Sequence, residues 1–203
     1  MSQYTIPTVV ESTMRGERVS DIYSRLLSDR IILLNTPIDD GVAGVIIAQL
    51  LYLDGQSSES EIALYINSPG GSLTSLMGIY DTMQYVSSDV ATVAIGQAAS
   101  SAAVLLAAGA PGKRSMLPHS RVLLHQPSGS AEGTIPDLAI QAREVIRLRA
   151  QMNEILSRHT GKSPEVIKAD TDRDLVLTPQ QAIDYGVADQ IMQPRDVPAY
   201  RIG

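Results

Sequence analysis

The sequence has no cysteine, no tryptophan and no phenylalanine. The missing cysteine excludes a disulfide framework, a thiolate metal site and a cysteine nucleophile, and it fits a reducing compartment. Only three histidines are present and none sits in an HExxH spacing, so a metal site would have to lean on carboxylates, and none is expected. Positive charge never accumulates either: the net charge is −6 and no basic run occurs, which argues against a nucleic acid partner. The longest apolar stretch, Ala102 to Ala108, is too short to cross a bilayer, and Met1 to Arg18 has no apolar stretch of the secretory kind. A cytoplasmic chain with no membrane partner is the expectation. A phosphate loop is missing too, although Gly109-Ala110-Pro111-Gly112-Lys113-Arg114-Ser115 imitates one. Its first required glycine position falls on Ala107, Arg114 stands where Ser or Thr must follow the lysine, and it follows a helix rather than a strand. ATP binding by this chain is rejected, and no cofactor is expected in it.

What is present suffices for one substantial domain: 203 residues, 44% of them hydrophobic. Arg30–Leu34, Glu61–Ile66, Asp89–Ile95 and Arg121–Leu124 read as buried strands. Between them, Val42–Leu53, Leu73–Met83 and the Ala- and Leu-rich stretch to Ala108 read as helices. The alternation predicts a mainly parallel α/β core, in which functional groups gather at the carboxyl ends of strands. Gly70-Gly71, Ser100 and His125 all lie just past such ends. Thr134, Pro136 and Asp137 open a long helix that keeps its spacing to about Arg158. At ~1.5 Å per residue it is ~35 Å long, more than the core needs, so it is expected to project and pack on another subunit. Short helices follow at Ser163–Asp170 and Thr178–Tyr185, and a last strand at Val187–Ile191. Residues 1–19 read as an irregular N-terminal arm, 20–193 as the domain, 128–133 as a polar loop and 194–203 as a loose tail.

The chemistry centres on Ile95 to Gly109. A β-branched run gives way to Gly96, then to small residues around Ser100 and Ser101, then to a helix. A serine at the first turn of a helix meets unpaired backbone N–H groups that favour developing negative charge. On its own the stretch reads more simply as a helix N-cap serine packed among alanines. A nucleophilic serine needs a base, and His125 is the natural one. The base works best with a carboxylate on its other nitrogen, for which Asp170, Asp172 and Asp174 are candidates. Alone, His125 reads as a core histidine and the acidic loop as a solvated surface. The Gly70-Gly71 turn and the N–H after Ser100 are candidate oxyanion donors. There is no G-x-S-x-G, and the order Ser…His…Asp is not that of the α/β-hydrolases.

The residues Arg15-Gly16-Glu17-Arg18, Asp21–Leu27, Tyr65-Ile66-Asn67-Ser68-Pro69-Gly70-Gly71 and Ile79–Gln84 run in one order with Gly96–Ser100, Gly112-Lys113-Arg114, His125-Gln126-Pro127, His159-Thr160-Gly161 and Asp170–Asp174. Together they resemble the ClpP family of serine peptidases from about Ile6 to Met192. The resemblance implies a crotonase-like α/β fold with a protruding helical handle at about 134–158. It implies a triad of Ser100, His125 and Asp174, and an oxyanion hole of the Gly71 and Ser101 amides, with Ser101 where the family usually has Met. It implies two stacked heptamers enclosing the active sites, with Asp170 and Arg173 at the ring–ring contact. The N-terminal arm resembles the segment lining the axial pore. An AAA+ unfoldase of the ClpX, ClpA or ClpC kind would consume the ATP and feed unfolded polypeptides to the chamber.

At the family's unfoldase-docking pocket, Tyr65 and Tyr85 keep an aromatic character, whereas Ala63 and Ser115 stand where aromatics are common and Met192 where Leu is. Less apolar wall means a weaker grip, and a mixed assembly with a paralogous subunit is the corresponding expectation. Two other readings remain: a catalytically latent ring partner, and a crotonase-type acyl-CoA enzyme, which has no reason for this Ser, His, Asp order.

Overall fold

The computed structural model describes residues 5–13, 16–125 and 134–193. Strands β1 (Thr8–Thr13) and β2 (Gly16–Asp21) pair antiparallel as a two-stranded ribbon. This corrects the expectation of an irregular arm. Both faces of β2 are largely exposed, so the ribbon carries no apolar alternation for a sequence reading to detect. Asp21 then caps helix α1 (Ile22–Ser28) by accepting from the amides of Tyr23 and Ser24.

Strand β3 (Ile31–Leu34), helix α2 (Asp40–Gln56), strand β4 (Ile62–Ser68), helix α3 (Leu73–Tyr85), strand β5 (Val90–Ala99), helix α4 (Ser101–Ala107) and strand β6 (Arg114–Met116) alternate as expected of a parallel core. Strand β7 (Arg121–Leu124) precedes the long helix α5 (Ile135–Thr160), which is followed by helix α6 (Pro164–Asp170), strand β8 (Leu175–Leu177), helix α7 (Pro179–Tyr185) and strand β9 (Gln190–Ile191). The main sheet runs β3-β4-β5-β6-β9, every neighbour parallel. On β4 Ile62, Leu64, Ile66 and Ser68 alternate into the interior. Every residue of α4 is buried, and Thr92 on β5 donates its hydroxyl to the Leu106 carbonyl on that helix, 2.8 Å away. The core therefore sits between this sheet face and α4.

Strand β5 runs to Ala99, four residues past the expected end at Ile95, and serves two partners. Thr92 to Ala94 pair with β6, whereas Gln97 to Ala99 pair with β7. The change of partner accompanies a bulge: Ile66 faces Ala94, but Ser68 already faces Ala98. Asn67 stitches it, its side-chain oxygen accepting the Gln97 amide at 3.1 Å. Gly96 makes the space, since a Cβ there would come 2.5 Å from that oxygen. Bulges of this kind bend a strand and re-aim the residues at its end. In β5 the residue re-aimed is Ser100, immediately after Ala99.

Strand β6 starts at the end of the stretch that imitates a phosphate loop, where sequence reading expected no strand. Its Arg114 turns inward and donates to the carbonyls of Ala107, His159 and Gly186 and to the Asp189 carboxylate. Helix α5 is 26 residues long, ~39 Å at ~1.5 Å per residue, and buries only Met152, Asn153, Ile155 and Leu156. Its first turns leave Ile135, Ile140, Val145 and Ile146 exposed, so it projects from the body as the expected handle. Among the described residues, no helix is long and apolar enough to cross a membrane. The expected polar loop at 128–133 and tail at 194–203 lie outside the described residues.

Candidate active site

Ser100 occupies the corner between β5 and α4 with φ 54° and ψ −123°. A non-glycine residue at positive φ is strained, at a cost of about 1–3 kcal/mol, and persists only when its surroundings hold it. They hold it from both sides. Its amide donates to the Leu123 carbonyl at 2.8 Å, and its carbonyl accepts from Ala103 and Val104 at 3.0 and 3.3 Å. It stands at the N-cap of α4, yet its side chain makes no capping bond. The simpler reading, a serine spent on capping, therefore fails, and a half-buried hydroxyl is left at a rigid corner.

The Gly70-Gly71 turn presses against this corner. A Cβ on Gly70, whose φ is 89°, would lie 2.5 Å from the Ala99 carbonyl oxygen and 2.7 Å from the Ser100 Cβ. Only glycine lets the two turns meet. Ile38 bridges the turn from outside, donating to the Gly70 carbonyl and accepting from Ser72, both at 2.9 Å. Those bonds use the groups flanking Gly71, so the amide and carbonyl of Gly71 itself face the other way. The carbonyl accepts the Ser101 hydroxyl at 3.0 Å. The Gly70 amide is spent on the Ser68 hydroxyl at 3.1 Å, which itself donates to the Thr36 carbonyl at 2.7 Å. Sequence reading missed Ser68; its signal was a serine two residues before a glycine, the spacing of a side-chain-closed turn. Among the described residues, the Gly71 and Ser101 amides donate to nothing, so both are available as donors.

Strand register brings the other two residues to the same edge. Strand β5 pairs parallel with β7, Ala99 opposite Leu123. Strand β7 pairs antiparallel with β8, Leu124 opposite Leu175. Continued by one residue, that register sets the half-buried His125 opposite the exposed Asp174. Ser100 directly follows β5, His125 directly follows β7 and Asp174 directly precedes β8, so all three lie at one edge. Of the three candidate carboxylates, Asp174 is the one this register sets opposite His125; Asp170 accepts the Tyr185 hydroxyl at 2.9 Å. The other histidines are elsewhere as well. His119 is exposed before β7, and His159 packs edge-on against Tyr80, its Nε2 3.1 Å from the phenol oxygen, with burial lowering its pKa.

The remaining predicted residues lie on other parts of the molecule, except Arg173, which is next in sequence to Asp174. Asp170 and Arg173 are exposed around the turn between α6 and β8. Tyr65, Val93, Ser115 and Gln190 form one row across the sheet, on the face opposite α4, and the Gln190 amide donates to the Ser115 hydroxyl at 3.1 Å. Ala63 precedes Tyr65 on the same face, and Met192 follows Gln190, its amide bonded to the Met116 carbonyl at 2.9 Å. Tyr85 ends α3 and is 81% exposed. Leu33 continues the Tyr65 row into an open groove of about 410 Å³ between α1, β3 and α2, lined also by Tyr23, Leu26, Ile31 and Val42. Among the described residues, no cluster of three or more His, Asp or Glu is placed to hold a metal ion.

A sequence profile described as Clp protease matches residues 14–195. The ATP-dependent Clp protease proteolytic subunit 2 of Streptomyces avermitilis is 59% identical over 96% of this chain and 98% of its own length. The proteolytic subunit 4 of Rhodococcus jostii is 59% identical over 95% of this chain and 99% of its own. The proteolytic subunit 1 of Nocardia farcinica is 54% identical over 96% of this chain and all of its own. With similarity of this extent over a serine elbow, a glycine turn and a handle helix, the chain belongs to the Clp protease family, the ClpP-type serine peptidases.

Proposed function

We propose that this chain is the serine endopeptidase subunit of a compartmentalised protease, with Ser100 as nucleophile, His125 as base and Asp174 as its orienting carboxylate. The reading rests on one observation, the convergence of the ends of β5 and β7 and the start of β8 on one edge, beside a glycine turn with an unspent amide. In the reaction His125 takes the Ser100 proton as the hydroxyl oxygen attacks the scissile carbonyl. The Gly71 and Ser101 amides receive the oxyanion. His125 returns the proton to the leaving amine, and water, activated by the same imidazole, releases the acyl group. None of these steps calls for a metal or cofactor.

Assembly and partners are part of the same proposal. The exposed apolar face of α5 suits packing between subunits, and two heptameric rings stacked through it, with Asp170 and Arg173 at the contact, would seal the Ser100 edge inside a chamber. The relatives are named as ATP-dependent; in this chain's case the ATP would be used by an AAA+ unfoldase in the cytoplasm, docked on Tyr65, Tyr85, Met192 and the groove beside Leu33. The ribbon of β1 and β2 would line the axial entrance. Ala63 and Ser115 thin the apolar wall of that docking face, which favours rings shared with a paralogous subunit. Degradation of a folded substrate by this chain alone with an unfoldase would overturn the mixed assembly.

Native mass spectrometry with a fluorophosphonate tests the chemistry. The expected result is one label per subunit at Ser100, and for Ser100→Ala a particle of unchanged mass, no label, and peptide cleavage down by at least about a thousandfold. Cleavage retained by Ser100→Ala would overturn the assignment.

A further inference from the structure

The Ser101 side chain has a position of its own to explain. It is fully buried at the first residue of α4, and its hydroxyl donates to the Gly71 carbonyl at 3.0 Å. The amides proposed to receive the oxyanion belong to Ser101 and Gly71. They sit on supports of different stiffness. The Ser101 amide starts a helix whose seven residues are all buried. Gly71 is exposed and has no side chain to pack; its two peptide planes are held on their outer edge by Ile38, through the Gly70 carbonyl and the Ser72 amide. Glycine has the widest backbone freedom of any residue, so the strand edge formed with Ile38 fixes which way the Gly71 amide faces, and a bond on the inner side fixes how far it stands from α4. Among the described residues, the hydrogen bond that reaches Gly71 from the site side comes from the Ser101 hydroxyl.

Resting on the reading of Ser100 as nucleophile, we propose that Ser101 is a positioning residue for peptide cleavage: its hydroxyl ties the Gly71 peptide to the head of α4 and so fixes the spacing of the two oxyanion donors, one of which is its own amide. A donor acts fully only when it already points at the place the oxyanion will occupy. The tether matters most in the transition state, where charge develops, and little for binding the neutral peptide. The hydroxyl is sealed from water, so its loss cannot be repaired by solvent without opening the corner.

The test compares Ser101→Ala, Ser101→Thr and Ser101→Val as assembled particles, with Ser100→Ala alongside. Removing an oxyanion donor outright costs about 10²–10³ in kcat, and misplacing one costs less. Ser101→Ala is expected to lower kcat about ten- to a hundredfold, leave KM within about twofold and slow fluorophosphonate labelling by the same factor as kcat. The pH profile should not shift, because the base is untouched. Thr and Val have nearly the same shape and differ in the hydroxyl, so Thr should recover most of the lost kcat and Val should not, even if Ala disturbs assembly. A merely structural role would move particle mass or melting temperature and leave kcat per labelled site unchanged. The tether is overturned if Ala keeps kcat within twofold, or if Thr and Val are equally impaired. Cleavage surviving in Ser100→Ala would instead overturn the underlying active-site reading.

Discussion

At the scale of single residues, the candidate site depends on backbone positions more than on side-chain reach. Ser100 is held at positive φ by bonds on both of its peptide groups, and Gly70 gives it room. The register between β7 and β8, continued by one residue, sets His125 opposite Asp174. An amide at Asp174 would keep the shape while removing the charge that favours the protonated imidazole and fixes its tautomer. Asp174→Asn is therefore expected to lower kcat by about 10³–10⁴-fold with little change in KM, and to leave the melting temperature nearly unchanged because the residue is exposed. Steady-state kinetics with a short peptide checks this, and an activity loss of less than tenfold would remove Asp174 from the mechanism.

At the scale of elements, Arg114 ties together helix ends that would otherwise leave carbonyls unpaired. Its side chain joins the ends of α4, α5 and α7 through Ala107, His159 and Gly186, and holds Asp189 by two bonds, to which the Arg114 amide adds a third. Removing one partner of a buried pair typically costs about 3–5 kcal/mol, because the other is left uncompensated. Arg114→Met is expected to lower the melting temperature by several degrees, and Arg114→Lys to restore it only in part, since an ammonium cannot reproduce the forked contact. Hydrogen bonding to Arg114 holds the Asp189 carboxyl below its ordinary pKa. A depressed carboxyl contributes stability above its unfolded pKa, about 3.9, and loses it as pH falls through the folded value. Thermal melts from pH 6 to 2 should show that loss in the natural chain and lack it in Asp189→Asn, which starts from lower stability.

The same elements explain what was legible in the sequence. Strands with apolar alternation or runs, such as β4 and β7, and helices with clear caps, such as α1 and α7, are written in local patterns. So are the ends of strands, which is why Gly71, Ser100 and His125 could be placed at one edge. The extension of β5 was not legible, because it depends on Asn67 and Gly96, residues from different strands that meet only in the fold. Nor was β6, whose three residues include an arginine facing inward, nor the ribbon of β1 and β2, exposed on both sides. Ser68 and the Ser101 side chain look like ordinary small residues until their backbone partners are known.

At the scale of the whole molecule, the subunit shows surfaces that make sense only in company. Helix α5 carries apolar side chains beyond the body that it leaves uncovered. Near its base, the Tyr185 hydroxyl anchors Asp170, and the Lys162 ammonium lies 4.5 Å over the Tyr185 ring. Arg173 stands exposed three residues on, and among the described residues no carboxylate of its own subunit pairs with it. A carboxylate held rigid beside a guanidinium held free is suited to pairing with a second copy related by a twofold axis, where each Arg173 meets the partner's acidic group. In the proposed two-ring assembly, Arg173→Ala is then expected to shift the particle from two rings toward one, seen as halved mass in native mass spectrometry. The same shift should occur in the natural chain as salt rises, because partly exposed ion pairs are screened within ~8–10 Å at moderate ionic strength. Tyr185→Phe, which frees Asp170 without removing its charge, should produce a smaller shift in the same direction. If ring pairing withstands Arg173→Ala at low salt, the joint is carried by the apolar face of α5 alone.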